Sequence, residues 1–230
     1  MNNLKDSKRG SFYYIGKKPY ASVTTILSVI DKPALRRWFG EQVYFAMLKD
    51  PTLKKEDALA APYATSTTAK SRGTTVHSMV EAYKAGHKVE DANIPDQFKG
   101  YAKAFYTWID HHKVSIIEQE KTVFCKELGY GGTLDMVATI NDEKEPTIVD
   151  VKTGKDIYQE AFIQTAAYQY ALKESGIVAK NISVLLLKDD GTYKFEVMTN
   201  YEKKFKGFLA CKAIWEALNE EMLTKIGYWE

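Results

Sequence analysis

Cysteine is nearly absent from this 230-residue chain: there are two, Cys125 and Cys211, far apart and outside any CxxC spacing. Two cysteines build neither a disulfide framework nor a four-thiolate zinc site, and no iron–sulfur cluster is expected. Both read as plain buried or half-buried thiols. Long apolar runs are also missing, since no stretch of 18 or more hydrophobic residues occurs, so no transmembrane helix and no membrane partner are expected. The polar start MNNLKDSKRGS lacks the apolar core of a signal peptide. It also carries Asp6 and is short for an organelle presequence, which makes a cytoplasmic setting the default expectation. Charge of one sign is scarce too. Thirty-two Lys and Arg against 30 Asp and Glu leave a net charge of +2, so the total argues for no polyelectrolyte partner. No internal repeat and no linker divides the chain, and one domain over 1–230 is expected, with a helical N-terminal part over about 20–112 and a core over about 114–230.

What is present is 45% hydrophobic and 27% charged side chains, enough for a sizeable core. Basic residues concentrate early: Lys5, Lys8, Arg9, Lys17, Lys18, Lys32, Arg36 and Arg37 outnumber Asp6 and Asp31 in the first forty positions, and Lys70 and Arg72 follow later. Arg36, Arg37 and Arg72 are candidates for contacts to an anionic polymer; any one of them is equally an ordinary solvated cation. The segment Phe12 to Val23 reads as a hairpin or extended lead-in, with Ser22 or Thr24 capping a short helix to Ile30. Pro33 opens a helix to about Lys49 whose Trp38, Phe39, Tyr44, Phe45 and Met47 are expected in the core. A polar helix over Leu53 to Ala60 and a second helix over Tyr63 to Ala85 should follow, then a loop over Gly86 to Ile94. Pro95 should open a helix whose Phe98, Tyr101, Phe105, Tyr106 and Trp108 pack inward. Glu118 and Glu120 share parity on the strand that comes next. Toward the C-terminus, Ile182 to Leu187 reads as a buried strand, Tyr193 to Met198 as its partner, and the last thirty residues as a covering helix.

The stretch from Gly129 to Tyr170 concentrates the chemistry. Thr133 to Ile140 and Thr147 to Val151 are β-branched runs separated by Asn141-Asp142-Glu143-Lys144-Glu145-Pro146, a hairpin signature. Alternation places Asp150 and Lys152 on one face, roughly 6 to 7 Å apart. If the hairpin pairs symmetrically about the turn, Asp135 falls opposite or nearly opposite Asp150, and directly opposed residues have Cβ atoms roughly 5 Å apart. Two carboxylates that close repel, and a bound divalent cation removes the conflict. Oxygen ligands of this kind suit Mg2+ or Mn2+. Lys152 would then hold an attacking water or balance charge in the transition state, which suggests metal-assisted phosphodiester hydrolysis. The same residues equally make a solvated edge and a surface ion pair. On the helix that follows, Gln164 and Tyr168 lie four apart on one face, as do His77 and Glu81 on the earlier helix.

Gly132-Thr133-Leu134-Asp135, Ile148-Val149-Asp150-Val151-Lys152-Thr153 and Gln164-x-x-x-Tyr168 resemble the core of PD-(D/E)xK nucleases of the RecB-like branch. Gly73 to Glu81, around His77, resembles the histidine-bearing helix of that branch. Val23 to Leu27, Leu35 to Trp38, and Glu120 ahead of Tyr130 are similar to the mitochondrial genome maintenance exonuclease group with its bacterial and phage relatives. The resemblance covers most of the chain and implies an α/β restriction-endonuclease-like fold: a central mixed β-sheet of about five strands, flanked by helices. It implies a metal-dependent exonuclease working on single-stranded DNA in replication, repair or recombination. A duplex-end or flap nuclease, and a non-catalytic DNA-binding module, are the alternatives on that fold. His77, Asp135, Asp150 and the Val151 carbonyl would be the metal ligands, and Asp135, Asp150 and Lys152 the catalytic set. Gln164, Tyr168 and Thr153 would position substrate, with Glu81 and Glu120 as acidic groups behind the metal.

Overall fold

The computed structural model describes residues 7–83 and 94–229, and side chains of these except at 7–9 and 65–71. Lys5 and residues 86–93 of the expected loop, together with the side chains of Lys8, Arg9 and Lys70, lie outside the described residues. In chain order the strands β1 (Ser7–Arg9), β2 (Phe12–Ile15) and β3 (Lys18–Ser22) lead into the short helix α1 (Val23–Ile26) and a 3-10 turn over Leu27–Val29. The helices α2 (Pro33–Lys49), α3 (Lys55–Ala82) and α4 (Lys99–His111) follow. Then come β4 (Ser115–Cys125), β5 (Tyr130–Thr139), β6 (Thr147–Lys152), α5 (Gln159–Lys173), β7 (Asn181–Leu187), β8 (Tyr193–Met198), α6 (Glu202–Leu218) and α7 (Glu220–Lys225).

All eight strands join one mixed sheet, ordered β1-β2-β3-β5-β6-β7-β8, with β4 on the other edge of β5. The count exceeds the expected five because the N-terminal meander attaches through β3, which runs parallel to β5 at Ala21–Tyr130 and Ser22–Gly131. That edge of β5 is therefore shared: β3 pairs at positions 130–131, and β6 pairs antiparallel at 136–138. Between the two the sheet forks, and Gly132 to Asp135 face the gap. Ser22 holds one side of the fork, its hydroxyl accepting the Thr25 N–H at 3.1 Å as the N-cap of α1.

Both faces of the sheet are covered, which explains the uninterrupted apolar runs of β6 and β7. Ile148, Ile182 and Val184 pack with α5, α6 and α7, whereas Val149, Val151, Leu185 and Leu187 pack with the end of α3 and with α4. Phe98, Tyr101, Phe105 and Trp108 of the α4 region are buried there as expected. Two expectations fail. No residue of α2 is buried, and Tyr44, Phe45 and Met47 are exposed, because α2 packs chiefly on α3 at the margin of the fold. The break expected before Tyr63 is absent as well: Pro62 lies inside a continuous α3. A helix-interior proline forgoes one backbone hydrogen bond but need not end the helix. Among the described residues, no helix is long and apolar enough to cross a membrane.

Candidate active site

The β5–β6 ladder runs from Ala138–Thr147 to Met136–Val149, so the next opposed residues are Asp135 and Asp150; strict pairing about the 141–146 turn would have set Asp150 against Val137, two residues along. There the backbone pairing gives way to side chains. The Val151 N–H, next in line for a ladder bond, donates instead to Oδ2 of Asp135 at 2.7 Å. Asp150 is 1% exposed. Its Oδ1 accepts from Nε2 of Gln164 at 3.2 Å, and Nε2 also stands 3.1 Å from the Tyr168 hydroxyl, so the pair spaced four apart on α5 acts as one bracket. Oδ2 of Asp150 lies 2.5 Å from Nζ of Lys152 and has no other partner.

The Tyr168 ring rests on the backbone at Gly132, where an added Cβ would stand 2.5 Å from Cε1 of the ring. Glycine is thus required by close approach. Gly132→Ala should push Tyr168 off its seat, loosen the Gln164 bracket on Asp150 and cost about 1–3 kcal/mol of stability. A drop in cleavage rate together with a lower melting temperature is the expected result.

From the other side, α3 brings His77 to the fork. Nδ1 of His77 is 3.4 Å from Oδ1 of Asp135 and 4.0 Å from Oε1 of Glu120. One ligand atom from each of the three lies within 4.8 Å of the others. The helix is tied in place by Gln119, whose Nε2 donates to the Val80 carbonyl at 2.9 Å. Glu118 and Glu120 share strand parity yet do not act together: Glu118 pairs with Lys121 at 2.6 Å. Glu120 has a positive φ of 46°, the left-handed region that costs a non-glycine residue roughly 1–2 kcal/mol. That twist accompanies its turn toward His77. Glu120→Gly should therefore raise stability by up to about 1 kcal/mol while weakening divalent-metal binding at least about tenfold. Parallel melting and metal titrations check both signs.

The titration behaviour follows from crowding. Burial pushes Asp150 up to about 6, and Asp135 adds to the push while Lys152 opposes it. Burial works against ionisation of Asp135 too, but His77 and Lys152 more than offset it and hold Asp135 below the usual carboxylate range. Burial alone would lower His77, yet its contact with Asp135 raises it. Lys152 is likewise raised, desolvation being outweighed by Asp150 and Asp135. Glu120 is raised by burial and then by Asp135, with the exposed Glu81 acting on it through charge alone. Two raised carboxyls beside a lowered one, with one buried oxygen held only by Lys152, suit a divalent cation.

The remaining sequence-predicted residues disperse. Thr153 faces Gly73 of α3, its Oγ1 3.8 Å from where a Cβ would be. Arg36 lines a groove that opens at Lys152, paired to Asp31 at 2.7 Å. Arg37 turns to Glu41 on the exposed side of α2 at 3.0 Å. Arg72 has a buried, unpartnered Nε and lies near enough to Tyr101 of α4 to act on its hydroxyl. The groove itself, about 850 Å3, runs from Lys152 and Gln164 between the α1–α2 connection and the start of α5. Sequence reasoning missed it, with Thr24 and Tyr158 in its walls; only the Ser22–Thr24 capping signal hinted that this connection was built.

A mixed sheet forked at its centre, with Asp, Asp-x-Lys and a Gln–Tyr helix at the fork, defines a nuclease class. The chain belongs to the PD-(D/E)XK nuclease superfamily, whose family model matches residues 52–226. Among solved structures it is similar to the alkaline exonuclease LHK-Exo of Laribacter hongkongensis, at 12% identity over 90% of this chain and 94% of that one, with a TM-score of 0.39. A Eubacterium rectale protein provisionally designated an exonuclease is similar at 12% identity over 93% and 84%, with a TM-score of 0.40. Comparison with curated proteins found no match.

Proposed function

We propose that this chain is a divalent-metal-dependent exonuclease that hydrolyses phosphodiester bonds from single-stranded DNA ends in replication, repair or recombination. The observation that carries the reading is the Asp150–Lys152 pair, set beside the His77–Glu120–Asp135 cluster at the head of a groove. His77, Asp135 and Asp150, with the Val151 carbonyl and Glu120, would hold Mg2+ or Mn2+. The ion would polarise the phosphate and lower the pKa of a bound water. Lys152, kept protonated by its two aspartates, is an orienting cation and not a base: it holds the attacking water and balances charge on the phosphate oxygens. Gln164 and Tyr168 keep Asp150 in one orientation, so the carboxylate needs no rearrangement during reaction.

The test uses end-labelled linear single strands, duplexes and circular single strands, each with Mg2+, Mn2+ or chelator. Linear strands should shorten only with metal, and circles and duplexes should resist. Cutting of circles would sink the requirement for an end. Binding without cleavage under any metal would sink catalysis.

A further inference from the structure

The groove beyond Lys152 holds more than hydrolysis needs. Three acids (Asp31, Asp156, Glu160) and three bases (Lys32, Arg36, Lys152) line it, so its formal charge is zero. Outside the site its cations are already engaged: Lys32 pairs with Glu160 at 2.8 Å and Arg36 with Asp31 at 2.7 Å. Such a surface has little net pull on a phosphate backbone. What it offers instead is Tyr158, 49% exposed at the start of α5, whose side chain has no hydrogen bond, ring contact or ion pair among the described residues. Leu35, 46% exposed on α2, lines the same groove from the other wall. An unpartnered aromatic and an apolar side chain, in a neutral cleft continuous with the reacting centre, match the flat faces of a nucleobase. At about 850 Å3 the cleft has room for a nucleobase and its sugar.

We infer that Tyr158 stacks on a base of the substrate strand beside the scissile phosphodiester, making this groove a base-holding subsite that selects unpaired DNA. The inference rests on the nuclease reading for its substrate but not for its test. Stacking is sequence-tolerant, so the subsite contributes affinity for any unpaired strand with weak dependence on salt.

The decisive measurement compares wild type, Tyr158→Ala, Tyr158→Phe and Tyr158→Trp on a short oligothymidylate and on the same strand carrying abasic nucleotides next to the cut. Tyr158→Ala should raise KM about 5- to 100-fold with kcat little changed, and Phe and Trp should restore it. On the abasic strand all four proteins should have the same KM. An unchanged KM in Tyr158→Ala, or an equal loss on the abasic strand, overturns the proposal. If wild type cuts nothing, the same comparison is made on the Kd of the labelled oligonucleotide with metal-free protein. Tyr158-dependent binding then supports the subsite while the nuclease reading falls, and Tyr158-independent binding or none overturns the subsite too. Because the ring is half-exposed and unpartnered, equal melting temperatures are expected across the series.

Discussion

The double variant Asp150→Asn/Lys152→Met should melt about 2–8 °C above the wild-type metal-free chain while cutting DNA at least about 1000-fold more slowly. The two charges are drawn out of water at the fork, and Asp150 at 1% exposure bears most of that cost. Replacing a buried ion pair by uncharged groups of like shape is often stabilising by 1–4 kcal/mol; Lys152 keeps 34% of its side-chain surface open, which puts the gain near about 1–2 kcal/mol. Asparagine keeps an oxygen for Gln164, and methionine keeps the unbranched stem. The single variants separate the terms. Lys152→Met leaves Asp150 without its cation, so its pKa rises further and the group goes neutral. Asp150→Asn leaves Lys152 with Asp135 alone. A double variant that melts below wild type would show that the pair stabilises the fold and is not held at its expense.

Adding Mn2+ to metal-free protein near pH 6 should release protons and raise the melting temperature. At a hundredfold excess over Kd the stabilisation is about 2.7 kcal/mol, or about 5–11 °C for a chain of this size. The protons come first from Asp150, which is half-neutral at about 6 and must ionise to ligate, and then from His77, whose raised pKa keeps it protonated without metal. Without metal, the folded chain retains a proton on Asp150 that the unfolded chain gives up from about pH 4, so Asp150 makes stability fall as pH rises through the window from about 4 to 6. Asp135 has the opposite sign: its lowered pKa contributes stability above about pH 4 that is lost as pH falls through its folded value. Asp150→Asn should therefore gain on wild type between pH 4 and 6, and thermal melts across that range test it. Metal binding with no proton release at pH 6 would contradict the crowded-carboxylate description.

The parts legible in the sequence were those with local signals. A six-residue polar turn between two β-branched runs marks a hairpin that brings Asp135 and Asp150 close, but the two-residue shift of the ladder that sets them directly opposite has no sign in the sequence. Four-residue spacing on a helix foretold the Gln164–Tyr168 contact, and Pro33 and Ser22 marked helix starts. What escaped depends on contacts distant in the chain or on backbone with no sequence mark. Nothing in Lys18–Ser22 says that it will lie beside Tyr130. The φ of Glu120 has no glycine to announce it, and nothing in the local pattern says that its carboxylate will stand 4.0 Å from His77. Aromatic residues of α2 were assigned to a core that the helix never meets, because composition states what would prefer burial and not whether a partner exists. Tyr158 sits outside every periodic pattern, as groove residues do.

The shared edge of β5 also sets the order in which the fork can close. Ala21 and Tyr130 meet across 108 residues of intervening chain, and β6 joins the sheet interior only alongside β7, which ends at Leu187. Contacts so remote close late in folding. On the ribosome, the N-terminal meander and the α2–α3 arm emerge long before the strands that carry Asp135, Asp150 and Lys152. The fork has no second side until β6, which ends at Lys152, is out. A chain interrupted before β6 therefore leaves Asp135 without Asp150 and Lys152 beside it, however well its N-terminal half has folded.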